Sequence, residues 1–178
     1  MKVLIVDGYN VIHAWPRLKQ ALVTASLEDA RTLLVQTIAA YAAHTGARAT
    51  VVFDAHGQRH GSRDVVDGVD VVYGTRTASA DHVIERLANE AARRGDAAGV
   101  VVVTGDRLQR ALVAAMGAAT MSPQSLLADV QRAAAEITQE AATRRAESSR
   151  AHRVENQLDA EVARRLERLR RGLPHDGR

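Results

Sequence analysis

The chain contains no cysteine, which excludes disulfide bonds and thiolate metal sites. Aromatic residues make up only 3% of its 178 residues, so helices must pack mostly through Ala, Leu and Val. No apolar stretch approaches the roughly 20 residues that cross a bilayer. There is also no basic start followed by an apolar run and a small-residue cleavage site. We therefore expect a cytoplasmic protein without membrane contact.

Hydrophobic residues at 46% and charged residues at 25% predict a globular chain. The formal net charge is +3 and the sequence pI is about 9.8, and nearly all of the positive charge is arginine. Arginine suits planar, bidentate contact with phosphate. A GC-rich coding sequence would produce the same Ala, Arg and Val bias, so the composition by itself leaves both interpretations open.

Valine-rich apolar runs alternate with helical patterns along the chain. This alternation predicts an α/β fold with a central, mainly parallel sheet and helices on both faces. The third run is divided by Gly68, which indicates a turn or a short hairpin. The predicted strands are 3–6, 48–54, 64–73, 99–106 and 117–121.

Helix ends are indicated by capping residues. Ser26 has the spacing of a capping box with Asp29, and Gly46 ends that helix. Ser79 is expected to cap the helix that carries Val83 and Ile84. Asp106 is expected to cap the next helix, and the side chains expected to face inward there are Leu108, Leu112 and Val113.

Residues 13–17 are predicted to form a loop, because Pro16 disfavours helical backbone at Trp15. Trp15 is either a residue that stacks on a nucleic-acid base or a half-buried packing residue. The polar segment 56–63 after the second strand is either a substrate-contacting loop or a plain surface loop.

The composition changes beyond about residue 130. We expect a main domain at 1–130 and an Arg- and Ala-rich helical extension at 131–178. Between residues 144 and 178, ten arginines stand against six acids, a surplus larger than the net charge of the whole chain. A basic extension is suited to RNA or a ribonucleoprotein surface, although a solvated helix with i,i+4 ion pairs has the same composition.

Acidic residues stand where the predicted strands end. Asp7, Asp54 and Asp106 follow apolar runs, and Asp81 opens a helix after a strand. Asp81 by itself is ordinary for a first helical turn. In one parallel sheet, however, all four meet at the carboxyl edge, where α/β sheets bind ligands.

Crowded carboxylates repel one another unless a cation lies between them. Oxygen ligands without cysteine favour Mg²⁺ or Mn²⁺, which can activate water for attack on a phosphodiester. An acidic pocket in a basic chain is therefore the combination expected of a nuclease.

Several motifs in the same order resemble the YacP-like branch of the NYN domains, which belong to the PIN-like nucleases. The resemblance covers residues 2 to about 130. It implies a PIN-like three-layer α/β/α domain and a metal-dependent endoribonuclease acting on mRNA in association with the ribosome. The motifs are VDGYNVI at 6–12, AWP at 14–16, VVFDAH at 51–56, SAD at 79–81 and TGD at 104–106.

By position, the resemblance makes Asp7, Asp81 and Asp106 the metal carboxylates. Asn10 would orient the first-strand acid or a phosphate, and Asp54 would be a further acidic member of the site. In that family an acid often follows the helix-start aspartate. Here His82 stands at that position, so Glu85 one turn later is the candidate replacement.

The hypothesis is hydrolysis of RNA to a 5′-phosphate and a 3′-hydroxyl. Ser79 and Thr104 are candidates for hydrogen bonds that orient the metal ligands. The candidate phosphate contacts are Arg59, His60, Arg63, Arg107 and Arg110.

Other classes of function remain as alternatives or are excluded. A non-catalytic RNA- or ribosome-binding module with a degenerate site would keep the arginines. A haloacid-dehalogenase-like phosphotransferase needs an acid where Tyr9 stands, and a receiver domain needs a second acid beside Asp7. No glycine-rich dinucleotide motif or P-loop occurs, which argues against a nucleotide cofactor.

Overall fold

The computed structural model describes residues 2–55 and 61–170, built around one six-stranded sheet. The strand order is β3-β4-β2-β1-β5-β6, and every neighbouring pair is parallel except β3 and β4. The predicted α/β fold with a mainly parallel sheet is therefore confirmed. The strands are β1 (Val3–Asp7), β2 (Arg48–Phe53), β3 (Arg63–Val66), β4 (Val69–Tyr73), β5 (Val100–Val103) and β6 (Ala119–Met121).

Helices occupy most of the remaining chain: α1 (Gly8–Ala14), α2 (Pro16–Thr24), α3 (Leu27–Thr45), α4 (Ala80–Arg93), α5 (Arg107–Ala115) and α6 (Pro123–Arg170), with one 3₁₀ turn at Ala97–Gly99. The loop predicted at 13–17 is wrong, because only Trp15 separates α1 from α2. Pro16 is the first residue of α2, a position where the missing N–H is not needed.

Two local predictions are confirmed in detail. The Ser26 hydroxyl accepts the Asp29 N–H at 3.0 Å at the start of α3, and Gly46 ends that helix with φ +67°. The third apolar run is a hairpin of β3 and β4. Its turn residues, Asp67 and Gly68, both have positive φ, which matches the right-handed twist of the strands.

The sheet packs against a separate apolar cluster on each face. Leu4 and Val6 of β1 point into the large cluster, which α1, α2, α3 and the start of α6 cover, whereas Ile5 points into the small cluster beneath α4 and α5. Successive strand residues face opposite sides, so this alternation follows from strand geometry. The large cluster contains every described buried aromatic residue: Trp15, Tyr41, Phe53 and Tyr73.

Trp15 is a packing residue. Its side chain is 4% exposed, and its indole N–H donates to the Pro123 carbonyl at 2.7 Å. This bond fastens the α1–α2 junction to the beginning of α6. Base stacking, the alternative for Trp15, is therefore not available in this structure.

The inward orientation predicted for α5 is only partly right. Val113 is fully buried, but Leu108 is 83% exposed and Leu112 is 41% exposed. Helix α5 is only nine residues long, and its buried face includes Gln109 in place of Leu108. The buried stripe is thus set by Gln109 and Val113, four residues apart.

The chain forms two compact units, Met1–Ala134 and Ala135–Arg178. In the second unit the described side chains are mostly exposed, and arginines pair with acids along the helix, as in Arg144–Glu140 at 3.9 Å and Arg170–Glu167 at 3.1 Å. Among the residues described, no helix is both long enough and apolar enough to cross a membrane.

Candidate active site

The acids that the sequence singled out lie on elements that meet at the carboxyl edge of the sheet. Asp7 is the last residue of β1, and Asp54 directly follows β2. Asp106 precedes α5, and Asp81 is the second residue of α4. The Asp54 Oδ1 accepts the backbone N–H of Ala80 at 2.7 Å, which ties the end of β2 to the start of α4.

Asp7 is the most enclosed of these acids, at 4% exposed. Its Oδ1 accepts the Asn10 N–H at 3.0 Å, and its Oδ2 accepts the Asn10 side-chain amide at 2.6 Å. Burial raises the pKa of the Asp7 carboxyl, the bonds from Asn10 lower it, and the negative charges of Asp81 and Asp54 raise it further. The net effect is a raised pKa, chiefly because burial disfavours the charged form of Asp7.

Asn10 joins two loops of the site. Besides donating to Asp7, its Oδ1 accepts the Gly105 N–H at 3.1 Å. A Cβ at position 105 would lie 2.7 Å from that oxygen, so a residue with a side chain would push Asn10 away. The Asn10 side chain therefore links the Asp7 carboxylate to the loop after β5.

Asp106 caps α5. Its Oδ1 accepts the N–H groups of Leu108 at 2.6 Å and Gln109 at 3.1 Å. Thr104, which is fully buried, accepts the backbone N–H of Asp106 at 3.1 Å. Thr104 thus supports Asp106 through the backbone and not through the carboxylate.

Asp81 is exposed, and the Gln109 side chain holds it in place. The Gln109 Nε2 donates to the Asp81 Oδ1 at 2.7 Å. The sequence prediction missed Gln109. Its spacing from Asp106 is that of a capping box, a local signal that would have suggested a contact within α5. Instead, the side chain reaches across to α4.

Ser79 is the N-cap residue of α4, as predicted, but its side chain makes no capping hydrogen bond. Its hydroxyl pairs with the His82 Nδ1 at 2.9 Å, and Asp54 accepts the Ala80 N–H. Glu85 lies one turn after Asp81 on α4 and is partly exposed.

The predicted phosphate contacts are dispersed. Arg59 and His60 lie outside the described residues. Arg63 pairs with Asp70 at 3.0 Å and lines a cavity of about 620 Å³ together with the first residues of β1 and β5, away from the acids. Arg107 and Arg110 lie in the first turns of α5, directly after Asp106.

A buried cation on the other face of the sheet was also missed. Arg31 is 6% exposed, its Nη2 donates to the Tyr9 hydroxyl, and its guanidinium lies 5.4 to 5.6 Å from three ring centroids. The rings are those of Tyr9, Phe53 and Tyr73. Its burial could have been predicted from the sequence, because Arg31 lies four residues after Leu27 and three before Leu34, on the apolar stripe of α3.

The chemistry of the acids suits a hard divalent cation, since all are carboxylates and, besides burial, the charges of Asp81 and Asp54 raise the pKa of Asp7. Within the ranges 2–55 and 61–170, however, no three His, Asp or Glu side chains are gathered closely enough to enclose an ion. Protein N–H groups hold Asp7, Asp81 and Asp106 instead. The carboxylates are thus ligands of the type that a divalent cation prefers, but in this structure the described acids are not spaced to enclose one.

Comparison with known proteins agrees with this fold and this arrangement of motifs. An uncharacterized protein YacP from Bacillus subtilis (strain 168) is 38% identical over 132 residues, which are 74% of this chain and 76% of that protein. The crystal structure of Rae1 (YacP) from Bacillus subtilis has a TM-score of 0.68 at 34% identity and covers 97% of this chain and 96% of its own.

A crystal structure of a single-substitution mutant of that same protein has a TM-score of 0.65 at 36% identity, and covers 78% of this chain and 79% of its own. The family model for the YacP-like NYN domain matches residues 4–171, so the match includes the whole of α6. The chain therefore belongs to the YacP-like NYN domain family, whose PIN-like fold is of the ribonuclease type.

Proposed function

We propose that this chain is a metal-dependent endoribonuclease that hydrolyses RNA phosphodiesters at the carboxyl edge of the sheet. The observation that carries the proposal is the state of Asp7. It is a buried carboxylate that accepts two hydrogen bonds, yet its pKa is raised, first by burial and then by the charges of Asp81 and Asp54. A divalent cation would offset this repulsion, and the family has a nuclease-type fold.

Asp7, Asp81 and Asp106 would hold Mg²⁺ or Mn²⁺, with Asp54 and Glu85 as further acids nearby. Once bound, the ion supplies Lewis-acid stabilisation and activates water for in-line attack on phosphorus. Asn10 keeps the Asp7 carboxylate in one orientation, and Thr104 fixes the backbone of Asp106. Asp54 keeps the start of α4, and so Asp81, against the end of β2.

RNA is the proposed substrate, with mRNA on the ribosome as the specific setting. Arg107 and Arg110 follow Asp106 directly, so they are the described arginines best placed to contact a phosphate beside the acids. The exposed arginines of α6 would add non-specific attraction to RNA. Arg63 has a smaller role in this proposal, because its charge is balanced by Asp70.

A second candidate is an RNA- or ribosome-binding module without catalysis. One observation favours it: the carboxylates already accept hydrogen bonds from the protein, and among the described residues no three acids enclose an ion. Such a module would keep the arginines and would tolerate the loss of any of the acids.

The test compares wild type with Asp7→Asn and Asp81→Asn on labelled RNA, with and without ribosomes, in Mn²⁺ or EDTA. Asp96→Asn is the matched control, because Asp96 is an exposed acid whose carboxylate pairs with Arg94 at 3.8 Å. We expect cleavage by wild type and the control, and its loss in EDTA and in both site variants.

The chemical groups at the ends of the RNA products test the proposed mechanism of cleavage. Hydrolysis by the proposed route leaves a 5′-phosphate and a 3′-hydroxyl, so 2′,3′-cyclic phosphates would overturn it. If every protein binds RNA equally well and none cleaves it, even on ribosomes, the binding module is the better account.

A further inference from the structure

Gln109 is a buried polar side chain at the centre of the acidic edge. It is the third residue of α5 and is 5% exposed, whereas its neighbour Leu108 is 83% exposed. Burying an amide while leaving a leucine in water reverses the usual preference. The fold therefore places an amide at this point at a cost in apolar burial.

Gln109 contacts two acids that come from different helices. Its backbone N–H donates to the Asp106 Oδ1 at 3.1 Å, and its side-chain Nε2 donates to the Asp81 Oδ1 at 2.7 Å. Asp81 is 28 residues away along the chain. One residue thus fixes the distance between the acid that opens α4 and the acid that caps α5.

The orientation of the amide follows from its partner. A carboxylate accepts hydrogen bonds and cannot donate them, so the Nε2 and not the Oε1 must face Asp81. The Oε1 is then buried, with no hydrogen-bond partner among the described residues. A buried carbonyl oxygen without a partner lowers stability, so a folding role alone does not account for Gln109.

Asp81 needs such a restraint. It is an exposed side chain in a first helical turn, free to change rotamer, and its charge opposes that of buried Asp7. Without Gln109 the carboxylate would turn toward water and away from the other acids.

We propose that Gln109 is a positioning residue that holds Asp81 beside Asp106 for cation binding. This inference rests on the proposed function, since it assigns how one of the cation's ligands is oriented. Partners that orient metal ligands typically change metal affinity or activity about 10–100-fold when they are lost.

The experiment measures Mn²⁺ binding by the intact chain through the loss of the free-ion electron paramagnetic resonance signal. Gln109→Met keeps the length of the side chain but has no donor, and Gln109→Asn keeps the amide but is one methylene too short. Gln124→Met, at an exposed position in the first turn of α6, is the matched control. Thermal unfolding of each protein in EDTA reports on the fold.

We expect both Gln109 variants to bind Mn²⁺ at least about tenfold more weakly, while the control binds like wild type. In EDTA the midpoint of unfolding of Gln109→Met should stay the same or rise, because the unpartnered oxygen is gone. A purely structural role would instead lower that midpoint and leave Mn²⁺ affinity intact in the folded variants.

Wild-type affinity in both Gln109 variants would overturn the inference alone, and the proposed function would stand. Failure of wild type to bind Mn²⁺, together with unchanged behaviour of Asp81→Asn, would overturn the inference and the proposed function together.

Discussion

The two faces of the sheet are packed by different kinds of side chain. The face under α3 packs leucine and the buried aromatic side chains around a buried cation, Arg31. The face under α4 and α5 packs only valine, isoleucine and alanine among its buried residues. The acids lie at the end of this second, smaller cluster, where Asp54 contacts α4 and Gln109 contacts Asp81.

This difference suggests that the two faces contribute unequally to the stability of the fold. Large apolar side chains bury more area and stabilise more per residue, so the α3 face should supply most of the stability. The predictions below test this difference, the acids at the sheet edge and the orientation of α5, beginning with the largest expected effect.

Replacing Phe53 with alanine should lower the free energy of unfolding by about 3–5 kcal/mol. Its ring is fully buried, stacks on Tyr73 and packs on the backbone of Gly8, where a Cβ would lie 2.2 Å from the ring. Urea denaturation measures the loss. On the other face, Ile84→Val should cost about 0.5–1.5 kcal/mol. An equal loss of unfolding free energy in the two variants would contradict the unequal contribution of the two faces.

The Asp7→Asn variant should change how stability depends on pH. The pKa of Asp7 is raised in the folded protein above its ordinary value of 3.8. Its favourable contribution is therefore present below the unfolded value and is lost as pH rises through the folded pKa. Asparagine does not titrate, so the stability of the variant relative to wild type should increase between about pH 4 and about pH 7.

Denaturation in EDTA at both ends of that range tests this expectation, because EDTA removes any cation that would stabilise ionised Asp7. Asp96→Asn, on an exposed acid, is the control for the substitution itself. A constant difference for Asp7→Asn would mean that burial and the neighbouring charges do not raise the pKa of Asp7 in the folded protein.

The smallest effect is expected on α5. Leu108→Ser should change the free energy of unfolding by no more than about 0.5 kcal/mol, because the side chain is 83% exposed. Val113→Ala on the same helix removes buried carbons and should cost about 1.5 kcal/mol. Urea denaturation of the two variants checks the orientation of the helix, and the reverse order would place Leu108 inside.

Local patterns were sufficient for most of the fold. Valine-rich runs located the sheet, Ser26 and Gly46 marked the ends of α3, and Gly68 marked the hairpin turn. These local patterns gave wrong predictions where contacts with distant parts of the chain decide the structure. Pro16 indicated a loop but begins a helix, and Leu108 fits the apolar spacing of α5 yet points to solvent.

The positions of the strands along the chain and the acids that follow them were readable from the sequence, because strand periodicity and the carboxyl-edge rule depend only on nearby residues. The partners of those acids were not. Asp81 is held by Gln109 from 28 residues away, Asp54 caps α4 from 26 residues away, and Asn10 reaches Gly105 across 95 residues. Contacts at such separations leave no periodic mark in a sequence, so only the packing of the folded chain determines them.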